Sequence, residues 1–220
     1  MGWDNVWEKV FSEQEWGKYP AESLIRFIAR NFYKKDRKNV KILEIGCGPG
    51  ANIWYLSREG FDTYGIEGSQ TAVERAKIRL KSDNLNADII KGDILKLPYK
   101  DNHFDAVIDV ECIYSNSLHD SEIILREVQR VLKNGGLFYS RTFSNNMYIG
   151  KSRDDIGEME YSNISDGPFE GKGFARLMDK AAIDNLYGAI FEVLSVDKLE
   201  ETQNNGARII SEWVIISRNK

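Results

Sequence analysis

The sequence predicts an α/β fold: a doubly wound seven-stranded sheet, mostly parallel, with an antiparallel last strand and helices on both faces. Three observations predict it. Short β-rich runs alternate with stretches of helical spacing from about residue 40 to 142, the order of a parallel sheet covered by helices. Three glycines at alternate positions, Gly46, Gly48 and Gly50, stand between the first of those runs and the first of those helices, where open α/β sheets bind ligands. The final two apolar runs are joined by Gln203-Asn204-Asn205-Gly206, whose Asn-Gly pair signals an antiparallel hairpin.

The elements follow in order. Pro20 suits the first position of a helix that runs through Leu24, Ile25, Phe27, Ile28 and Phe32 and packs its apolar face on the sheet. The cations that follow, Lys34, Lys35, Arg37 and Lys38, are read as a solvated helix end favoured by the dipole and not as a binding patch. Strands are expected at 40–45, 61–66, 87–90, 104–109 and 137–143, and helices at 51–59, 69–81 and 121–132. Lys133-Asn134-Gly135-Gly136 supplies the basic last turn and glycine that end the last of these helices. Residues 144–173 are rich in Ser, Asn, Asp and Gly, with apolar residues too scattered for a core element, so a long surface excursion of the lid type is expected. A helix at 176–186 and strands at 189–199 and 208–217 complete the chain. Residues 1–220 thus read as one domain, with a helical cap over 1–39 and a lid or substrate loop over 144–173.

Composition narrows the function classes. With 42% hydrophobic and 29% charged residues the chain is expected to form a globular core. Thirty Lys and Arg against 34 Asp and Glu leave a net charge of -4, so no basic excess serves a general nucleic-acid binder. The start, MGWDNVWEKVFSEQEW, is acidic and tryptophan-rich where a signal peptide is basic and then apolar, and a cytoplasmic location is expected. No window approaches the roughly 20 apolar residues of a membrane span. Cys47 and Cys112 are too few for a disulfide framework or metal cluster and are expected as reduced thiols.

The chemistry concentrates at the ends of the expected strands. Glu44-Ile45-Gly46-Cys47-Gly48-Pro49-Gly50-Ala51 leaves a bare main chain that a ligand can touch, with helix N–H groups ready for a carboxylate or other anion. The third glycine comes one residue earlier than in the dinucleotide fingerprint. Glu67 is delivered to the same sheet edge, where a carboxylate accepts both hydroxyls of a ribose, although an exposed strand-end acid is an equal alternative. Asp93 could accept from an exocyclic amine beside the apolar wall of Ile94, a pairing that suits adenine. The fourth strand ends at Asp109-Val110-Glu111, at the centre of the sheet where a crevice opens.

At this point the chain resembles the class I S-adenosylmethionine-dependent methyltransferases, in particular the small-molecule group that includes the quinone-biosynthesis enzymes. ILEIGCGPG resembles the first motif of that family, YGIEGS its acidic second-strand end, GDILKLPYKDNHFDAVI its third-to-fourth-strand segment and LREVQRVLKNGGLFY its fifth helix and strand. The resemblance implies a Rossmann-like sheet, S-adenosyl-L-methionine as cofactor, and methyl transfer to oxygen, nitrogen or carbon of a small acceptor. It also implies that Gly46, Cys47 and Gly48 lie against the methionine part of the cofactor, Glu67 on the ribose, and Asp93 with Ile94 on the adenine. Glu44, Gly50, Gly68 and Glu111 are expected to complete the cofactor contacts. Tyr19, extended ahead of Pro20, is expected to join them, with core packing an equal competitor for it and Trp16.

The chain departs from its relatives where the acceptor would sit. Glu111-Cys112-Ile113-Tyr114-Ser115 replaces the metal-ligating E-x-x-E-H of some of them, so no metal is expected. Tyr114 is a candidate for orienting the acceptor or facing the sulfonium. His119 is a candidate general base, with helix-start polarity as its alternative, and His103 is expected to be solvated. Met147, Tyr148, Met159, Tyr161 and Phe169 are expected either to set acceptor specificity or to pack the excursion on the domain. Two other classes stay open: an NAD(P)-dependent oxidoreductase, which the glycine spacing and the absence of Tyr-x-x-x-Lys after the fifth strand oppose, and a non-catalytic S-adenosylmethionine-binding module. A monomer or homodimer is expected, with neither a nucleic acid nor a membrane as partner.

Overall fold

The computed structural model describes residues 3–220. Helices α1 (Val6–Glu13) and α2 (Glu22–Phe32) precede a run of β1 (Lys41–Ile45), α3 (Ala51–Arg58), β2 (Asp62–Glu67), α4 (Gln70–Ser82) and β3 (Asp88–Lys91). The chain then crosses back through β4 (Phe104–Val110), α5 (Leu118–Val131) and β5 (Leu132–Phe143). Three short strands, β6 (Asp154–Gly157), β7 (Glu160–Ser162) and β8 (Ala175–Arg176), lead to α6 (Lys180–Gly188) and the hairpin of β9 (Glu192–Gln203) and β10 (Arg208–Arg218). The main sheet is seven-stranded in the order β3-β2-β1-β4-β5-β10-β9. Its direction of winding reverses between β1 and β4, and the crevice at such a switch point is where doubly wound sheets bind ligands.

The two faces follow from the period-2 alternation of strands. Leu43, Val107 and Phe138 pack against Leu125 and Val128 of α5 and Ile183 and Tyr187 of α6. Ile42, Ala106, Ile108 and Tyr139 point the other way, against Leu24, Phe27, Ile28 and Phe32 of α2 and Leu56 of α3. β10 runs antiparallel to both β5 and β9, as the hairpin signal required: Asn204, Asn205 and Gly206 of its turn all have positive φ. Among the described residues no helix is long and apolar enough to cross a membrane.

Several local expectations change. Residues 144–173 do form core: β7 pairs with β6 on one side and β8 on the other in a separate three-stranded sheet, and Met147, Ile164 and Phe169 are buried with Tyr114, Phe143 and Leu177. Their apolar residues meet only through partners outside the segment, which a local window does not contain. Pro20 lies two residues before α2, which starts after Ala21 with Glu22. The helix expected from 176 starts at Lys180, because Ala175 and Arg176 pair in β8 and Asp179 caps the helix by accepting the Ala182 N–H at 2.7 Å. α5 starts earlier than expected, at Leu118, because Ser117 caps it. Within the basic run, Arg37 stacks on Tyr33 at 4.1 Å and pairs with Glu59 at 2.7 Å. His103 is half-buried edge-on against Tyr64 and Phe104, and burial pushes its pKa down.

Candidate active site

The strand-to-helix turn after β1 places Gly46, Gly48 and Gly50 in left-handed conformations (φ +63°, +49° and +83°). At Gly46 a Cβ would overlap the Cys112 sulfur, so the turn is built for glycine both by backbone angle and by room. Its donors are taken within the protein. Gly46 N–H donates to the Ile66 carbonyl at 2.8 Å, Gly50 N–H to Cys47 at 3.0 Å, and Gly48 N–H to Glu67 Oε2 at 2.8 Å. Glu67 also accepts the Ser69 N–H at 2.9 Å. Within the turn, Glu67 is thus the acceptor of the Gly48 N–H, and it does not reach the N–H groups at the start of α3 where an anion is expected from sequence.

Glu44, at the end of β1, accepts from Asn52 Nδ2 at 2.6 Å through Oε1, while its buried Oε2 has no partner. Burial pushes the Glu44 carboxyl up to about 8, with Glu67 and Asp109 nearby adding to the shift. Burial also raises Glu67, opposed by the backbone N–H groups it accepts, and lifts Asp109 to about 6. Both cysteines are free, and burial raises both thiols. Three carboxyls thus sit near the ends of adjacent strands, each raised above the ordinary carboxylate range by burial.

A cavity of about 470 Å³ opens over this edge. Its wall on the β1–β2 side includes Glu44, Gly46, Cys47, Gly48, Glu67 and Gly68, with Gly92 and Ile94 beside them. The N-terminal segment covers that side. The Trp3 indole lies against Gly68, where a Cβ would run into it. Trp7, Phe11 and Trp16 form a cluster with ring centroids 5.2 to 6.1 Å apart, and all three line the cavity. Glu8 pins α1 to the start of α4, accepting from Ser69 Oγ at 2.6 Å and from Thr71 Oγ1. Tyr19 also lines the cavity, 75% exposed at its rim and edge-on to Trp54.

The opposite wall comes from β4, β5, β10 and the excursion. Glu111, the residue after β4, has φ +58°, a left-handed conformation uncommon outside glycine. Its N–H donates to the Arg141 carbonyl at 2.9 Å and its carboxylate lies 3.5 Å from Arg141 Nε. Arg141 Nε also reaches Glu212 Oε2 at 3.0 Å, a diagonal pair across β5 and β10. Tyr114 lines the cavity too, buried between Phe143 and Phe169 at 4.8 and 5.5 Å, and burial raises its hydroxyl pKa.

Three expected site residues lie off the cavity wall. Gly50 is the residue before α3 and backs onto Ala76. Asp93 is exposed and accepts the Leu95 N–H at 2.9 Å, while its neighbours Gly92 and Ile94 face the cavity. His119 is exposed on the first turn of α5. Conversely, Trp3, Trp7, Phe11, Arg141, Lys172 and Glu212 line the cavity without having been singled out from sequence. The aromatics had a signal, since positions 3, 7 and 11 form one helical stripe. Arg141 and Glu212 had a fainter one, as charges inside otherwise apolar strands. Among the described residues no group of three or more His, Cys, Asp or Glu is arranged to hold a metal ion.

A doubly wound sheet with a closed glycine turn, an acid at the end of the next strand and an antiparallel hairpin edge defines the class I S-adenosylmethionine-dependent methyltransferase type. Residues 43–140 match the family described as "Methyltransferase domain". The chain is 26% identical over 226 aligned positions to a sterol 24-C-methyltransferase of Kluyveromyces lactis, an alignment that covers 94% of the chain and 59% of the relative. It is 28% identical to a ubiquinone biosynthesis O-methyltransferase of Pelagibacter ubique, over 58% of the chain and 52% of the relative. It therefore spans little more than half the length of these two curated relatives. A solved S-adenosylmethionine-dependent methyltransferase from Methanosarcina mazei shares the fold with TM-score 0.72 at 22% identity, covering 91% of this chain and 98% of that one.

The residues fit such a cofactor. The unpartnered Glu44 Oε2 and the Glu67 carboxyl make an acidic pole that suits a cationic ligand. A pyrophosphate needs free N–H groups at the glycine turn, and here Glu67 and two carbonyls occupy those of Gly46, Gly48 and Gly50.

Proposed function

We propose that the protein transfers a methyl group from S-adenosylmethionine to oxygen, nitrogen or carbon of a small-molecule acceptor. The observation that carries this reading is the closed glycine turn joined to two buried carboxyls, Glu44 and Glu67, on one wall of a covered cavity. The relatives' names, for a sterol and for ubiquinone biosynthesis, support a small acceptor. The free cysteines accord with a cytoplasmic setting.

In this reading each part of the wall has a task. Glu67, already held by two N–H groups, turns its remaining lone pairs to the ribose hydroxyls. Glu44 Oε2 receives the ammonium of the methionine portion, and the bare backbone from Gly46 to Gly48 lets that portion approach. Ile94, Gly92 and Trp3 enclose the adenine, and Asp93 accepts from its amine with the oxygen its own turn leaves free. When bound, the cofactor supplies a methyl group activated by its sulfonium. The chain's work is to hold donor and acceptor in line and exclude water, and such alignment is worth roughly 7 to 11 kcal/mol. Trp7, Phe11 and Trp16 supply the apolar cover.

Calorimetry tests the reading. S-adenosylmethionine and S-adenosylhomocysteine are expected to bind and NADH is not. Binding of NADH without binding of S-adenosylmethionine overturns it.

A further inference from the structure

The acidic pole at β1 and β2 is accounted for by the cofactor. Five charged side chains of the lining are left unused by the cofactor reading: Glu111 after β4, Arg141 on β5, Glu212 on β10, Lys172 between β7 and β8, and the exposed Asp4 ahead of α1. The first four, two carboxylates, a guanidinium and an ammonium, make up the other pole and are formally neutral as a set. Arg141 is committed to Glu212, with Nε and Nη2 both on Oε2. Glu111 stands 3.5 Å from Arg141 Nε, beyond normal hydrogen-bond length. The Lys172 ammonium rests over the Trp16 ring at 5.1 Å, and among the described residues no carboxylate reaches ion-pair distance of it. Glu111 and Lys172 therefore each present a charge to the cavity that the protein does not fully use.

Strand order separates this pole from the cofactor. Glu111 leans toward β5 and β10, away from the glycine turn and Glu67 on the β1–β2 side. Its left-handed backbone is an observed outlier of the sort that accumulates at functional sites. Around it stand Tyr114, Phe143, Trp7 and Trp16, flat surfaces that favour a planar ring. A carboxylate acceptor would meet Glu111 and Glu212 at close range, and a cationic one would meet Lys172 and Arg141. A neutral ring with a weakly acidic hydroxyl suits both charges at once.

We propose that Glu111 and Lys172 form the acceptor pair of this site, that Glu111 is the general base, and that the acceptor is a phenol or comparable planar enol methylated at oxygen. The proposal rests on the methyltransferase reading and reassigns Glu111 from the cofactor to the acceptor. The Glu111 carboxylate takes the hydroxyl proton while an oxygen lone pair forms the new O–CH3 bond. The methyl–sulfur bond breaks with its electrons passing to sulfur, leaving a methyl ether, a neutral thioether and a protonated Glu111 that loses its proton to water. Lys172 stands beside the oxygen as negative charge develops. Burial raises the Glu111 carboxyl, reinforced by Glu212 and opposed by Arg141, and it lowers the Lys172 ammonium, opposed by Glu111. Tyr114 and Cys112, the other titratable groups beside Glu111, are both shifted up by burial. A raised carboxyl is a better match to a phenol, whose pKa lies near about 10, than an ordinary one.

The test uses 4-nitrophenol as probe, whose absorbance separates phenol from phenolate, on the protein loaded with S-adenosylhomocysteine. Wild type is expected to bind it saturably with part of it as phenolate. Lys172→Met is expected to lose about tenfold in probe affinity and the phenolate band, and Lys172→Arg to retain both. Glu111→Gln is expected to bind the probe as neutral phenol but methylate it about a hundredfold more slowly with S-adenosylmethionine, and to lose the acidic limb of the wild-type pH profile. S-adenosylhomocysteine affinity stays within about twofold throughout. Probe binding by Lys172→Met equal to wild type, or no probe binding by loaded wild type, overturns the proposal. So does a tenfold loss of S-adenosylhomocysteine affinity in either variant, which assigns the pair to the cofactor. Failure of wild type to bind S-adenosylhomocysteine at all instead overturns the methyltransferase reading beneath it.

Discussion

The two halves of the cavity are built in opposite ways. On the β1–β2 side the wall is mostly main chain and two carboxyls from 44–68, one continuous strand-turn-helix-strand passage, with Gly92 and Ile94 beside it and the N-terminal aromatics over it. On the β4–β5–β10 side it is side chains from four separated stretches, with the small β6–β7–β8 sheet packed behind Tyr114 and Phe143. A ligand common to many proteins can be held by backbone geometry that tolerates little change. A ligand peculiar to one protein is held by side chains that can be exchanged without disturbing the sheet.

If that contrast is right, substitutions on the cofactor side cost the most. Gly46→Val is expected to abolish measurable S-adenosylmethionine binding in calorimetry and to lower the thermal midpoint, because its Cβ must displace Cys112 at a left-handed φ. Normal binding by this variant breaks the contrast outright. Glu67→Ala comes next: it strips the acceptor from two buried N–H groups, a stability loss of about 1 to 3 kcal/mol read as a lower thermal midpoint, and calorimetry is expected to show weaker cofactor binding.

A smaller effect sharpens the electrostatic half of the comparison. Glu44 stays largely protonated below its raised pKa of about 8 and becomes anionic above it. S-adenosylmethionine, a cation, is therefore expected to bind more tightly as pH rises from roughly 6 to 9, and to release protons on binding near neutrality. Isotherms in buffers of different ionisation enthalpy measure that release, and Glu44→Gln should remove most of it. The sign for the ligand-free protein is the reverse. A carboxyl raised by folding contributes stability below its unfolded value near 4.5 that is lost as pH climbs through about 8. Glu44→Gln is thus expected to raise the thermal midpoint at alkaline pH while weakening the cofactor. The smallest effect is expected at His119: exposed and off the cavity wall, its change to Ala should leave kcat and KM within about twofold.

The same contrast explains what the sequence disclosed. The glycine turn, Glu67 and the strand order were legible because each signal is local: an apolar run, a turn without side chains, an acid at the next strand's end. The Asn204-Asn205-Gly206 turn was legible for the same reason. The Arg141–Glu212 pair was not, since 71 residues separate the two and only the antiparallel register of β5 and β10 brings them together. Packing of Met147 and Phe169 on the domain was legible only as one of two alternatives, and neither the burial of Ile164 nor the pairing of β7 with β8 was legible at all. His119 looked useful because it follows β4 closely in sequence, but the intervening turn carries it to the outer surface of α5.

The hydroxyl of Ser69 serves two masters: it accepts the Ala72 N–H at 3.1 Å to start α4, and it donates to Glu8 to hold down α1. α1, which carries the cavity-lining Trp7 and Phe11, is thereby latched to the first turn of α4. If α1 must lift for the spent cofactor to leave, loosening that contact by Glu8→Gln is expected to change kcat while leaving the cavity wall itself intact.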